Sequence, residues 1–211
     1  MKQTPYDQYP KDRIKSLLSG IPFFSDLSVN DASQHQLLLK HAAILELAPG
    51  DVLIKKGEVD RHYYFLLKGE VAVYPEKSIE RKSVPVSKLT QGQVLGALAL
   101  LAGLPRTATV AVEKTGTEAL VFSADTTPFG ELKDFSQVFL ATKLALYRNV
   151  INNTRFKLEG YKAKNPKHAL TEEYLKIPKF TGSKDTLEEL QSYAQQAIAL
   201  ARVLQKWNEL Q

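Results

Sequence analysis

The chain has 211 residues, of which 44% are hydrophobic and 24% charged, the balance of a folded, water-soluble chain rather than a disordered one. It contains no cysteine, which excludes disulfide frameworks, zinc fingers and thiol catalysis and fits a reducing cytoplasm. The formal net charge is +5, and residues 148–179 hold eight Lys or Arg against three Asp or Glu, so that stretch alone accounts for the excess.

Residues 1–45 read as a helical segment, punctuated by Pro22 and a turn at Ser25 to Ser28. Ser28-Val29-Asn30-Asp31 is placed to cap a helix through Ala43, with Leu37, Leu38 and Ala42 on its buried side. Residues 46–128 change character. Short β-prone runs (Val52 to Ile54, Tyr63 to Leu67, Val71 to Tyr74, Val84 to Leu89, Thr107 to Val112, Ala119 to Phe122) alternate with turn signals such as Pro49-Gly50-Asp51, Lys56-Gly57-Glu58, Lys68-Gly69-Glu70 and Gln91-Gly92-Gln93. Strands at such intervals, with glycine at the corners, predict a β-sandwich or barrel-like roll, and the lack of βαβ alternation argues against a nucleotide-binding α/β fold.

Residues 129–162 read as one long helix. Leu140, Leu144, Tyr147, Ile151, Thr154 and Leu158 form one stripe, and Phe135, Phe139, Leu146 and Val150 a second. A helix with two apolar faces needs two partners, either its own β-domain plus a second subunit, or two parts of one chain. The first arrangement predicts a homodimer. Residues 163–211 read as a basic connector followed by a helix opened by Thr186-Leu187-Glu188-Glu189, which resembles a capping box.

The segment 95–110 carries the chemistry. It opens on Gly96, continues through the short apolar turn Ala97-Leu98-Ala99-Leu100-Leu101, and ends on Pro105-Arg106-Thr107-Ala108-Thr109-Val110. Backbone N–H groups at a helix start favour an anion, a glycine lets a phosphate approach the main chain, and an arginine can grip it bidentately. The alternative is that Arg106 pairs with a nearby carboxylate such as Glu113 or Glu118.

This stretch resembles the phosphate-binding cassette of the cyclic nucleotide-binding domain family, to which the catabolite activator protein and protein kinase A regulatory subunits belong. The likeness extends through Ile21-Pro22-Phe23-Phe24, Tyr63-Tyr64-Phe65-Leu66-Leu67-Lys68-Gly69-Glu70 and Gly92-Gln93-Val94-Leu95-Gly96. It implies an α+β fold: a jelly-roll-like β-roll flanked by N-terminal helices and a long C-terminal helix, with a further helix after it. It also implies a site for cyclic AMP, cyclic GMP or a related anion, built from Gly96, Ala97, Leu98, Arg106, Thr107 and Ala108. In the family a glutamate after the cassette glycine accepts the ribose 2′-hydroxyl; Ala97 stands there and has no acceptor.

Three functions follow as expectations. The first is a cytoplasmic, non-enzymatic, bacterial-type signalling module that binds an anionic ligand through Arg106 and passes the signal to the following helix. The second is a ligand-free roll that docks a protein partner through its C-terminal helices. The third, a DNA-binding regulator, lacks a winged helix-turn-helix after Gly160. No catalytic or metal-ligand motif is present, His35, His41, His62 and His168 are scattered, and the apolar run Val94 to Leu104 is too short to span a bilayer.

Overall fold

Alternation along three long strands dictates the architecture. In the computed structural model, which describes residues 1–77, 79 and 83–210, β1 (Lys2–Pro5), β2 (Ala42–Leu47), β3 (Val52–Ile54), β4 (His62–Lys68), β5 (Glu70–Tyr74), β6 (Ser87–Thr90), β7 (Val94–Leu95), β8 (Thr109–Ala111) and β9 (Ala119–Asp125) form two antiparallel sheets. One runs β1-β2-β9-β4-β7 and the other β3-β8-β5-β6. Odd and even residues of a strand face opposite ways, so Leu45, Tyr64, Leu66 and Val121 meet the second sheet in one core. Ile44, Tyr63, Phe65, Leu67 and Phe122 point the other way, into a core shared with helices. The central strands are apolar on both faces because both faces are covered.

The helical side is built from α1 (Lys11–Ser19), α2 (Pro22–Asn30), α3 (Ala32–Lys40), α4 (Ala97–Leu101), α5 (Leu140–Lys164), α6 (Ala169–Leu175) and α7 (Leu187–Glu209). Phe23 and Phe24 of α2 pack their rings on Phe65, Phe24 also edge-on to Phe122 at 4.8 Å between centroids. Pro22 opens α2 at a position where a missing N–H costs nothing. The expected α+β roll with flanking helices is therefore present, and its details differ in four places.

Residues 1–45 are not all helical. Lys2–Pro5 is an edge strand paired to β2, where Pro5 is tolerated, and α3 stops at Lys40 because Ala42 pairs with Ala124 of β9. The cap of α3 is Asp31, whose carboxylate accepts from the Gln34 N–H at 3.0 Å, while Ser28 lies inside α2. Two of the roll's strands are shorter than expected, since β6 begins at Ser87 and β8 at Thr109, leaving Val84 exposed, while β4, β5 and β9 run longer.

The long helix starts at Leu140, not near residue 129. Gly130 takes a positive φ of 54°, and the Asp134 carboxylate accepts from the Ser136 N–H at 2.9 Å, a local bond that competes with helix. Buried Gln34 then fixes the entry, donating to the Gln137 carbonyl and accepting from the Phe139 N–H at 3.0 Å. Phe135 and Phe139 thus fall outside the helix. The connector 163–211 also contains α6, capped by His168 Nδ1 accepting from the Leu170 N–H at 3.1 Å.

Both faces of α5 are covered within the chain. Leu146 and Val150 join the core of the roll, while Leu144, Tyr147, Ile151 and Leu158 meet α6 and α7. The face expected to meet a second subunit is occupied by α7, so the helix does not require one. Arg148 of α5 clamps Glu189 of α7 bidentately, Nε to Oε1 at 2.9 Å and Nη2 to Oε2 at 2.6 Å. Trp207 stacks on Tyr161 at 5.3 Å. Among the described residues, no helix is long and apolar enough to cross a membrane.

Two predictions follow from this packing. Gly69, between β4 and β5, has a φ of +85°, and a Cβ there would lie 2.6 Å from the Glu118 carbonyl oxygen. Gly69→Ala should lower stability by about 2 kcal/mol or more, read as a shifted urea midpoint at unchanged slope. The bond from Arg148 holds the buried Glu189 carboxyl below its ordinary value of 4.5. A lowered folded pKa stabilises above the unfolded value and loses that contribution as pH falls through the folded one. Glu189→Gln should therefore lower stability at neutral pH and reduce its loss below pH 4.5, measured by denaturation across pH.

Candidate functional site

Residues 95–110 fold as a strand end, a single helical turn and an extended return. Gly96 caps α4 with a φ of 75°, which glycine adopts without strain, and the Arg106 guanidinium sits where a side chain on Gly96 would project. Arg106 is 4% exposed, and its charge needs a counter-charge.

Asp60 supplies it. Arg106 Nε donates to Oδ2 at 3.1 Å and Nη2 to Oδ1 at 2.5 Å, a bidentate pair. Nη1 also donates to the Gly96 carbonyl at 2.5 Å, and Nη2 to the carbonyl of His62. The Tyr64 ring lies 5.9 Å from the guanidinium carbon. Neither Glu113 nor Glu118 is the partner, and Glu113 pairs with Lys88 at 2.5 Å. The main chain fixes this arrangement: the Gly57 N–H donates to the Arg106 carbonyl at 2.8 Å, and the Arg106 N–H to the Glu58 carbonyl at 2.9 Å.

The structure brings all six sequence-predicted residues, Gly96, Ala97, Leu98, Arg106, Thr107 and Ala108, around one cavity of 110 Å³. Ile54, Val73 and Leu89 of the roll form part of its apolar wall. Its roof comes from outside the cassette. Val150, Asn153, Thr154 and Lys157 project from one stripe of α5, and Leu204 and Asn208 from α7. Leu98 also packs against the α5–α7 core, so the cassette turn touches the helices directly.

Sequence reasoning missed Asp60, Lys157 and Asn208. Asp60 lies 46 residues from Arg106 and carries no local signal. The spacing of Lys157 from Val150 and Thr154 places it on their stripe, and this was readable once the stripe was known to face the cassette. Among the described residues no group of three or more His, Cys, Asp or Glu is arranged to hold a metal ion.

Residues 44–127 match the family model of the cyclic nucleotide-binding domain. The chain is similar to cGMP-dependent protein kinase, isozyme 1, of Drosophila melanogaster, 27% identical over 156 residues that cover 72% of this chain and 18% of that protein. It is also similar to the cAMP-dependent protein kinase regulatory subunit of Mycosarcoma maydis, 30% identical over 97 residues, 46% of this chain and 18% of that one. The aligned part thus spans under a fifth of each of these relatives. Among solved structures, the regulatory domain of Toxoplasma gondii PKA crystallised with cAMP aligns with a TM-score of 0.45 at 19% identity, covering 56% of this chain and 43% of that one. The regulatory subunit of a cAMP-independent protein kinase A from Trypanosoma brucei aligns with a TM-score of 0.43 at 24% identity, over 55% and 40% of the two chains.

The Arg106–Asp60 pair makes a direct prediction. Asp60→Asn leaves a buried guanidinium without its counter-charge, and the 32% exposure of Asp60 moderates the loss. The expected cost is about 2 kcal/mol, or a fall in melting temperature of roughly 4–8 °C. Adding Arg106→Met to Asp60→Asn should recover part of it, which a double-variant cycle by calorimetry would measure.

Proposed function

We propose, from the premise that residues 44–127 belong to the cyclic nucleotide-binding domain family, that the chain is a non-enzymatic regulatory module whose cassette takes a cyclic nucleotide or a related anion. The observation that carries this reading is the composition of the cavity. Its floor is the cassette and its roof is α5 and α7, so an occupant touches the roll and the helices together.

Size supplies the coupling. At 110 Å³ the cavity, open on one side, is small beside the roughly 300 Å³ of a ligand pocket, so seating a whole nucleotide inside it would require α5 or α7 to shift. Ligand binding would then select an arrangement in which α5 and α7 sit differently on the cassette, which is a shift of population between two packings. Arg106 would meet the phosphate with its remaining Nη1 hydrogen and with donors released from the Gly96 and His62 carbonyls. Ala97 leaves a ribose hydroxyl without an acceptor, which weakens binding by about one to two decades.

A second reading is favoured by one observation. Most donors of Arg106 are already committed to Asp60 and to two carbonyls, the state expected of a roll kept as a scaffold for a protein partner at the helices. Calorimetric titration separates the two readings. Cyclic AMP, cyclic GMP and cyclic di-GMP are titrated into nucleotide-free protein beside a folded Arg106→Ala control. The ligand reading expects saturable heat that the control loses. Silence for all three nucleotides would leave the scaffold.

A further inference from the structure

The cations of α5 are nearly all accounted for. Lys143 donates to the Glu131 carbonyl, Arg148 to Glu189 and Asp185, Arg155 to Gln196 and the Pro178 carbonyl, and Lys162 pairs with Glu159. Lys157 differs. It is partly buried, it lines the cassette cavity, and among the described residues it has no hydrogen-bond or ion-pair partner. Burial pulls its ammonium below the usual lysine value, which means the free protein holds this charge at a cost.

The cavity around it has an uneven charge. Two cations line it, Arg106 in the floor and Lys157 in the roof, and no Asp or Glu is among the lining residues. Asp60 offsets the first from outside the cavity, and among the described residues no carboxylate pairs with the second. Asn208 of α7, buried and without a hydrogen-bond partner among the described residues, lines the same roof and adds a neutral donor and acceptor. An anion placed between floor and roof would meet the last free hydrogen of Arg106 and three donors of Lys157.

We propose that Lys157 is the group through which helix α5 binds the ligand's anionic charge, so that recognition in this site is shared between cassette and roof instead of resting on the arginine alone. The inference rests on the cassette being a ligand site. The class of ligand it selects carries a compact anionic group, a phosphodiester or phosphate, set close enough to the roof to meet both cations. It also makes α5 a direct ligand contact rather than a passive recipient of movement. Binding would pair a charge that the helix otherwise holds partly buried and, among the described residues, without a partner.

The test is a pair of substitutions, Lys157→Met and Lys157→Arg, in the full chain. Cyclic AMP and cyclic GMP are titrated calorimetrically, and thermal midpoints are recorded in inorganic phosphate and in chloride at matched ionic strength. The expected result is that Lys157→Met weakens nucleotide binding about 10-fold or more, while Lys157→Arg stays close to the parent. The unliganded Lys157→Met protein should melt no lower than the parent, since it has lost an unpaired, partly buried charge. Nucleotide binding that is equal in parent and Lys157→Met would overturn the inference and leave the ligand reading standing. If no nucleotide binds but phosphate raises the midpoint of the parent and not of Lys157→Met, the nucleotide reading falls and the assignment of Lys157 to an anion survives. Silence in every arm removes both.

Discussion

A guanidinium withdrawn from water must find its counter-charge and its acceptors inside the protein, and Arg106 draws them from two separate stretches of chain. Asp60 comes from the turn before β4, one carbonyl from the first residue of that strand, and the other from the glycine that starts the cassette turn. The same arginine's backbone closes on Gly57 and Glu58. These bonds hold the cassette against the roll. Because α4 is part of the cassette and Leu98 packs on the α5–α7 core, Arg106 helps to seat the helical layer, alongside the packing of Leu146 and Val150 in the core of the roll. Burial of an ion pair contributes little net stability compared with apolar packing, and its effect here is to fix one geometry among several.

The helical layer has a different physical basis. Its centre is α5, whose two apolar faces are satisfied by the roll and by α7, with the Arg148–Glu189 clamp setting the register between the helices. The stripe holding Val150, Asn153, Thr154 and Lys157 looks onto the cassette cavity, and α7 completes the cover. One helix therefore participates in the core of the roll, the core of the helical layer and the lining of the site. A displacement of α5 cannot be confined to one of the three.

What could be read from the sequence divides along the range of the interactions. Strands β3, β4, β5, β6, β8 and β9 were legible because alternation and corner glycines are local, whereas β1, β2 and β7 were not; the cassette was legible because Gly96 and Arg106 lie ten residues apart on one short excursion. Asp60 was not, since nothing near it in sequence distinguishes it from any acidic turn residue. The start of α5 was hidden because the competing bonds come from Gln34, over a hundred residues away. The seven-residue helix α6 has too few residues to show a period, and its order derives from Leu170 and Tyr174 packing into the α5–α7 core. The second face of α5 posed a true ambiguity. Periodicity shows that a face is apolar and does not say whether the same chain or another covers it.

A small cavity partly covered by two packed helices would set a tempo as well as an affinity in the proposed ligand site. If seating a nucleotide requires α5 and α7 to shift, the observed association rate should level off at the rate of that shift as ligand is added, instead of rising without limit. Apparent affinity is scaled by the open fraction, so a roof open about one hundredth of the time weakens binding a hundredfold. Substitutions that loosen the contact between α5 and α7, far from the cassette, would then tighten binding. In a ligand site built this way, sensitivity would be adjustable from the helices without altering a single residue that lines the cavity.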